Sequence, residues 1–296
     1  MSELVDFHVH SNRSCDGDYS PAELIGFARE KGFRAISIAD HDTVAAYPEA
    51  MDLGRDAGVE IIPSIELTTQ FGGREFHLLL PFVDWTSPEL AAVVEGQAMC
   101  RNEEARERVE KLRRLGFAIT WDEVRAKSDG TPPLGVKIAQ ILLENPENEK
   151  NAVLEFFYRE ENKPFGPTMF YKEFFTEGKH AYVPKKFAGL LDILGKAAAT
   201  GGVPVLSHPG AYFQKTTRED AGILKNHGLA GIEVYTSYHT AEQVGMYRDL
   251  AAELDLVPTA GSDFHGRIKP HVAFGALQDG RYWMVERLRE RKGGRA

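Results

Sequence analysis

The chain is short of several things at once. Its 296 residues include only two cysteines, Cys15 and Cys100, too few for a disulfide framework, so a reducing, cytoplasmic setting is expected. No apolar run approaches the roughly 18 residues a membrane span needs. The opening Met-Ser-Glu-Leu-Val-Asp is acidic where a secretory leader is basic, so no membrane partner is expected. Cations are in deficit, with 35 Lys and Arg against 44 Asp and Glu and a net charge of −9. Long duplex nucleic acid calls for a cationic face, and it is not an expected partner. Internal repeats and low-complexity tracts are missing too. What remains, 43% hydrophobic and 27% charged, is globular composition.

The first hundred residues alternate short apolar runs with helical patterns. A strand over Leu4–His10 is followed by Ser20-Pro21-Ala22-Glu23, in which Ser20 suits an N-cap, Pro21 the first helical position and Glu23 the capping box. Further strands are expected over Arg34–Ala39, Val59–Ile65 and Phe76–Val83, with a helix over Thr43–Ala57. This rhythm predicts an α/β fold with a parallel sheet, closed or doubly wound. It breaks near residue 98, where a heavily charged helix over 101–114 leads into a charge-balanced, helical and aromatic-rich stretch. Residues 98–186 therefore read as an inserted helical subdomain, and 1–97 with 187–296 as the main domain. The rings from Phe156 to Phe175 fit a small core for the insertion, with base stacking as the alternative. After Lys186 a helix near 187–200 is expected, then strands at Val203–Leu206, Gly231–Tyr235 and Leu256–Thr259, with Thr240 capping the helix between the last two.

Chemistry gathers where the strands end. His8 and His10 close the first strand, Asp40-His41-Asp42 the second and Glu66 the third. His77 lies in the fourth, His208 follows Val203–Leu206, and Asp263 and His265 follow the last strand. Asp16 sits in the loop after the first. Residues i and i+2 of a strand share a face, so His8 with His10, and Asp263 with His265, can each point into one cavity. In a closed β/α barrel the C-terminal strand ends meet at one mouth. Six imidazoles and three carboxylates there would repel or desolvate badly unless divalent cations neutralised them, and this donor set suits zinc, manganese or iron. The count exceeds the need of one ion, and with Glu66 bridging, two or three become possible. His180, His227 and His271 read as surface or structural.

These residues carry a family resemblance. His8-Val9-His10-Ser11 through Asp16-Gly17 and Ser20-Pro21 resembles the opening motif of the polymerase and histidinol phosphatase (PHP) family. Ala39-Asp40-His41-Asp42, Ile65-Glu66, His77, Ser207-His208-Pro209 and Gly261-Ser262-Asp263-Phe264-His265-Gly266 resemble its later motifs in order. The resemblance covers residues 4–83 and about 181–278. Gly231-Ile232-Glu233-Val234-Tyr235 with Ser237-Tyr238-His239-Thr240 is similar to the stand-alone subgroup, which includes phosphatases of nucleoside 3′,5′-bisphosphates and of short oligonucleotide ends. The resemblance implies a distorted (β/α)7 TIM-like barrel with an inserted helical subdomain and a two- or three-metal centre. His8, His10, Glu66 and Asp263 would hold one ion. Glu66, His77 and His208 would hold a second, and Asp16, His41 and His265 a third. Where the subgroup carries an arginine in the insertion, this chain reads Leu134-Gly135-Val136-Lys137-Ile138-Ala139, and lysine offers a point charge instead of a bidentate fork.

The expected activity is metal-dependent hydrolysis of a small phosphorylated substrate: a phosphomonoester, a nucleoside bisphosphate or a short oligonucleotide end. Cations would lower the pKa of a shared water and clamp the phosphoryl oxygens. Asp263 is the candidate proton acceptor and His239 the candidate donor to the leaving oxygen. Arg13, Lys137, Lys185 and Arg267 are candidate phosphate contacts, while Ser207, Ser262 and Cys15 read as structural. Two other readings stand beside this one. The same ligands serve amidohydrolase-type C–N hydrolysis, and a metal-stabilised module without catalysis is conceivable.

Overall fold

The computed structural model describes residues 3–14, 16–128, 132–277 and 279–293, so Cys15 lies outside the described residues. The chain divides into two compact units, Met1–Glu95 with Ala188–Ala296, and Gly96–Phe187. Among the described residues, no helix is long and apolar enough to cross a membrane.

The first unit opens with β1 (Val5–Val9), α1 (Pro21–Glu30), β2 (Ala35–Ile38), α2 (Tyr47–Ala57) and β3 (Glu60–Ile61), followed by β4 (Glu66–Phe71) and β5 (Arg74–Leu79). Local chemistry sets these boundaries. Ser20 and Glu23 form a reciprocal capping box at the start of α1. α2 starts at Tyr47, later than the expected Thr43, because Asp42 takes a left-handed φ of 53° and Pro48 suits the first helical turn. The strand expected over Val59–Ile65 is cut short by Pro63, which has no N–H to donate. Glu66 consequently opens β4 instead of closing β3.

α3 (Pro88–Arg114) carries the chain from the first unit into the second, which continues with α4 (Trp121–Ala126), α5 (Gly135–Leu143), α6 (Glu155–Tyr158) and α7 (Gly166–Phe174). That unit has its own core, including Val109, Leu112, Phe117, Ile138, Leu142, Phe157, Phe170 and Phe174. The rings of Phe170 and Phe174 stack at 4.2 Å, whereas Phe156 and Phe165 are exposed. Phe157, Phe170, Phe174 and Phe175 are therefore committed to packing. Phe170→Ala is expected to cost about 3–5 kcal/mol in a urea titration of the whole chain, and an unchanged midpoint would remove Phe170 from the core.

The chain re-enters the first unit at β6 (Ala188–Gly189). It continues through α8 (Leu190–Ala197), β7 (Val205–Leu206), α9 (Arg218–Asn226), β8 (Gly231–Thr236), α10 (Ala241–Glu253), β9 (Val257–Gly261) and α11 (Trp283–Gly293). Thr240 caps α10, again through a capping box. β1-β2-β3 form one parallel sheet, and β6-β4-β5-β7-β8-β9 a second. The second is mixed, not parallel as expected, because β4–β5 and β5–β7 run antiparallel. The Gly72-Gly73 connection is the cause. Both glycines have positive φ, 57° and 75°, and two such residues make a tight hairpin too short for a crossover helix. The result is an α/β fold with mixed sheets. Isolated parallel bridges join the sheets on both sides, Val9 to Phe264 and His41 to Glu66.

Candidate metal centre

Each potential ligand is set by a strand end or the turn beyond it. β1 delivers His8 and His10. The chain after β2 delivers His41, fixed where Glu66 N donates to Asp40 O and Asp42 N to Glu66 O. β4 begins with Glu66, and β5 carries His77 opposite Thr68. His208 follows β7, and Asp263 follows β9 with its N–H donated to His8 O at 2.8 Å. His208 and Asp263 both take positive φ, 22° and 55°, a backbone cost that non-glycine residues carry mainly at functional sites.

Glu66 is the hub, fully buried in the first unit. Its Oε2 lies 3.1 Å from His8 Nε2 and 3.3 Å from both His10 Nε2 and His41 Nδ1. Its Oε1 lies 3.0 Å from His77 Nδ1 and 3.2 Å from His208 Nε2. Asp263 Oδ1 approaches His8 Nε2 at 3.3 Å and His10 Nε2 at 3.2 Å. Asp16 Oδ2 lies 3.5 Å from His41 Nε2 and 3.4 Å from His265 Nε2. All nine residues expected from the sequence thus gather.

Three sets have ligand atoms close enough to share an ion: His8, His10, Glu66 and Asp263; His10, Asp16, His41 and His265; and His41, Glu66 and His77. His10 joins the Asp16 set. His41 reaches Glu66 as well as Asp16, while His208 faces the same Glu66 oxygen as His77.

The electrostatics call for positive charge. Burial by itself would push the imidazoles down and the carboxylates up, and the pairing reverses this for several groups. Glu66, Asp263 and Asp16 are held well below the usual carboxylate range by surrounding imidazoles. His8 is held well above its ordinary value by Glu66, Glu233 and Asp263, and His10 and His77 are pushed up to about 9. For His41 burial wins, and its pKa falls to about 3. Several buried atoms meanwhile lack a hydrogen-bond partner: Glu66 Oε2, His10 Nδ1, His41 Nδ1 and His208 Nδ1. Buried polar atoms left this way are costly unless something coordinates them. Lone pairs of nitrogen and carboxylate oxygen, converging and otherwise unsatisfied, fit divalent cations.

Behind the ligands lie carboxylates that the motif reading passed over. Glu233 on β8 accepts from His8 Nδ1 at 3.1 Å and from His208 N at 2.7 Å. It thereby fixes the His8 tautomer that presents Nε2 to Glu66. Asp6 accepts from His8 N and from Ser262 N and Oγ, and Asp40 from Ser11 N and Oγ. Burial pushes both aspartates up to about 6. The signal for Glu233 and Asp6 was available: a lone carboxylate inside an apolar strand needs a partner. Lys269 was missed as well, and its Nζ lies 2.5 Å from Asp263 Oδ2.

The other expected site residues are placed differently. Both ring nitrogens of His239 are committed to backbone, Nδ1 to Val234 O at 2.8 Å and Nε2 accepting from Gly210 N at 2.9 Å. No proton sits at a free atom for a leaving oxygen, so His239 ties strand β8 to the turn after His208 instead of serving as the expected donor. Arg13 pairs with Glu49 at 3.0 Å, and Arg267, largely exposed, pairs with Asp18. Lys137 on α5 and Lys185 belong to the second unit, Lys185 Nζ lying 5.6 Å from the Phe187 ring centroid. Ser262 is structural, bonded to Asp6.

Comparison with known proteins adds independent information. The pattern of the PHP domain family matches residues 6–157. A 5′-3′ exoribonuclease of Haemophilus influenzae is 29% identical over 90% of this chain and 91% of its own length. A 3′,5′-nucleoside bisphosphate phosphatase of Chromobacterium violaceum is 26% identical, covering 88% and 87%. A phosphoribosyl 1,2-cyclic phosphate 1,2-diphosphodiesterase of Eggerthella lenta is 28% identical, covering 92% and 98%. Among solved structures, a Bifidobacterium adolescentis protein described as a metal-dependent phosphoesterase superposes with a TM-score of 0.78 at 24% identity, covering 98% and 97%, a likeness of fold.

Proposed function

The chain belongs to the PHP domain family, and we propose that it is a metal-dependent phosphoesterase of small phosphorylated substrates. One observation carries this reading: a single buried carboxylate, Glu66, with imidazole nitrogens of His8, His10, His41, His77 and His208 all within 3.3 Å of its two oxygens. His8, His10, Glu66 and Asp263 hold one divalent ion. Glu66, His77 and His208 hold a second, and Asp16, His41 and His265 a third, with His10 in reach. Manganese, zinc and iron suit these donors. The two sheets, stitched by the Val9–Phe264 and His41–Glu66 bridges, read as a distorted seven-stranded ring with the ligands at one mouth.

Bound cations supply the charge that acidifies water and offsets the phosphoryl oxygens. The chain's own groups do the rest. Glu233 holds the His8 ring in register. Asp263, kept ionised by its imidazole neighbours, is the carboxylate placed to receive the proton of the attacking water. The relatives named above act on nucleoside bisphosphates, RNA ends and phosphoribosyl 1,2-cyclic phosphate, and a phosphoester close to ribose is the chemistry they share. The same class is proposed here, limited to small molecules and short ends by the net charge of −9. The test is a purified sample assayed with manganese against nucleoside 3′,5′-bisphosphates, 5′-phosphorylated di- and trinucleotides and phosphoribosyl 1,2-cyclic phosphate. Product release is expected from at least one, lost on chelation and restored by the metal. A fully metal-loaded sample that hydrolyses none of them overturns the reading.

A further inference from the structure

Resting on that phosphoesterase reading, we propose that Lys269, steadied by Tyr238, is the residue that grips the substrate phosphoryl group beside the metal centre. Neither residue is a metal ligand in the sets above, and the four cations picked from the sequence as phosphate contacts have other surroundings.

The placement begins with the turn after His265. Gly266–Ile268 forms a single 3-10 turn, closed where Lys269 N donates to Gly266 O at 3.2 Å. This reversal returns the lysine toward Asp263. Its Nζ reaches Asp263 Oδ2 at 2.5 Å and Tyr238 Oη at 3.0 Å. Tyr238 comes from the chain after β8, and its ring lies 4.9 Å from the His208 ring. The two oxygens of Asp263 therefore have different neighbours: Oδ1 faces His8 and His10, and Oδ2 faces the ammonium.

Exposure orders these groups from inside to outside. The Asp263 side chain is 2% exposed and that of Lys269 is 24% exposed. An ammonium carries three N–H donors, and Asp263 and Tyr238 take two of them. The third has no acceptor among the described residues, and the partial exposure gives it access to an incoming ligand.

The charge balance makes an anion the fitting ligand. A lysine so close to a centre for divalent cations is repelled by them, and Asp263 alone offsets only one positive charge. A phosphoryl group brings negative oxygens that satisfy the cations and the ammonium together. Lysine is a common point-charge partner for such oxygens. Arg13 and Arg267, by contrast, sit against Glu49 and Asp18.

The experiment compares wild type, K269Q, K269R and Y238F, each loaded with manganese, by metal content, by titration with inorganic phosphate and by turnover of whichever of the assay compounds named above the wild type hydrolyses. K269Q is expected to keep its metal and circular dichroism while binding phosphate at least about tenfold more weakly. Its kcat/KM should fall with it, K269R should recover part of both, and Y238F should lose a smaller share. Loss of metal from K269Q overturns the proposal, since Lys269 would then only prop Asp263. Equal phosphate affinity in wild type and K269Q, including none in either, overturns it too. Should K269Q fail to fold, K269R and Y238F with wild-type phosphate affinity and turnover overturn it. The phosphate titration needs no turnover, so a wild type that hydrolyses nothing would refute the phosphoesterase reading while still judging Lys269.

Discussion

Glutamine in place of Glu66 is expected to leave the purified protein without its full complement of divalent cations and to cut phosphoester hydrolysis by at least about a hundredfold, because even supporting residues around metal ligands typically cost ten- to a hundredfold. The reason lies in the two-sided use of this carboxylate. Oε1 serves His77 and His208, and Oε2 serves His8, His10 and His41. Glutamine keeps the shape but turns one oxygen into an NH2 donor, which cannot ligate a cation. It also removes the charge that draws cations into a fully buried position.

The metal-free fold should survive the change. Glu66 helps to hold His8 and His77 above their ordinary pKa values, so its loss allows those rings to shed protons instead of leaving buried charges unpaired. Thermal unfolding with and without manganese separates these effects. A ligand at a hundred times its Kd stabilises the native state by about 2.7 kcal/mol, and that increment should vanish in E66Q while the metal-free transition stays near that of wild type. Wild-type metal content together with wild-type turnover in E66Q would remove Glu66 from the centre.

The site was more legible than its scaffold, for a geometric reason. His8-Val9-His10 and Asp263-Phe264-His265 announce themselves because side chains two apart on an extended chain share a face, and ionisable groups at the ends of apolar strands are conspicuous. Support for those ligands is a different matter. Glu233 meets His8 across 225 positions and Asp6 meets Ser262 across 256, so only the folded sheet order brings them together. Lys269 comes within reach through one 3-10 turn whose residues look like ordinary surface. His239 misleads in the opposite direction. Taken from the sequence as the candidate proton donor, it has backbone partners instead, Val234 and Gly210, which no motif encodes. In the scaffold, the Gly72-Gly73 hairpin was missed because no strand was expected between Ile65 and Phe76, where β4 runs over Glu66–Phe71 and β5 already begins at Arg74. The helices expected from capping, α1 and α10, began where Ser20 and Thr240 placed them, because a cap is a local event within four residues.

Gly261 gives the second large effect, and it concerns space rather than charge. It ends β9 directly before Ser262 and Asp263. A Cβ there would stand 1.9 Å from Glu233 Oε1 and 2.4 Å from His8 Cβ. The first contact is the oxygen that accepts from His8 Nδ1, and the second atom is tied directly to the β1 backbone. Neither neighbour can step aside without undoing the hydrogen bond that orients His8 or the pairing of β1 with the chain after β9. Overpacking in a core usually costs about 1–3 kcal/mol, occasionally more, and with two rigid partners Gly261→Ala is expected at the upper end or beyond, together with loss of bound metal. Gly245→Ala supplies the contrast. That residue lies within α10 with nothing within 4 Å of its added Cβ, so alanine there should be neutral or stabilise by about 0.5–1 kcal/mol. Urea unfolding and metal analysis of both variants decide the matter. Equal stability and equal metal content in G261A and G245A would mean that β1 and β8 do not press together at Gly261, and that the Glu233–His8 contact is not what holds the imidazole toward Glu66.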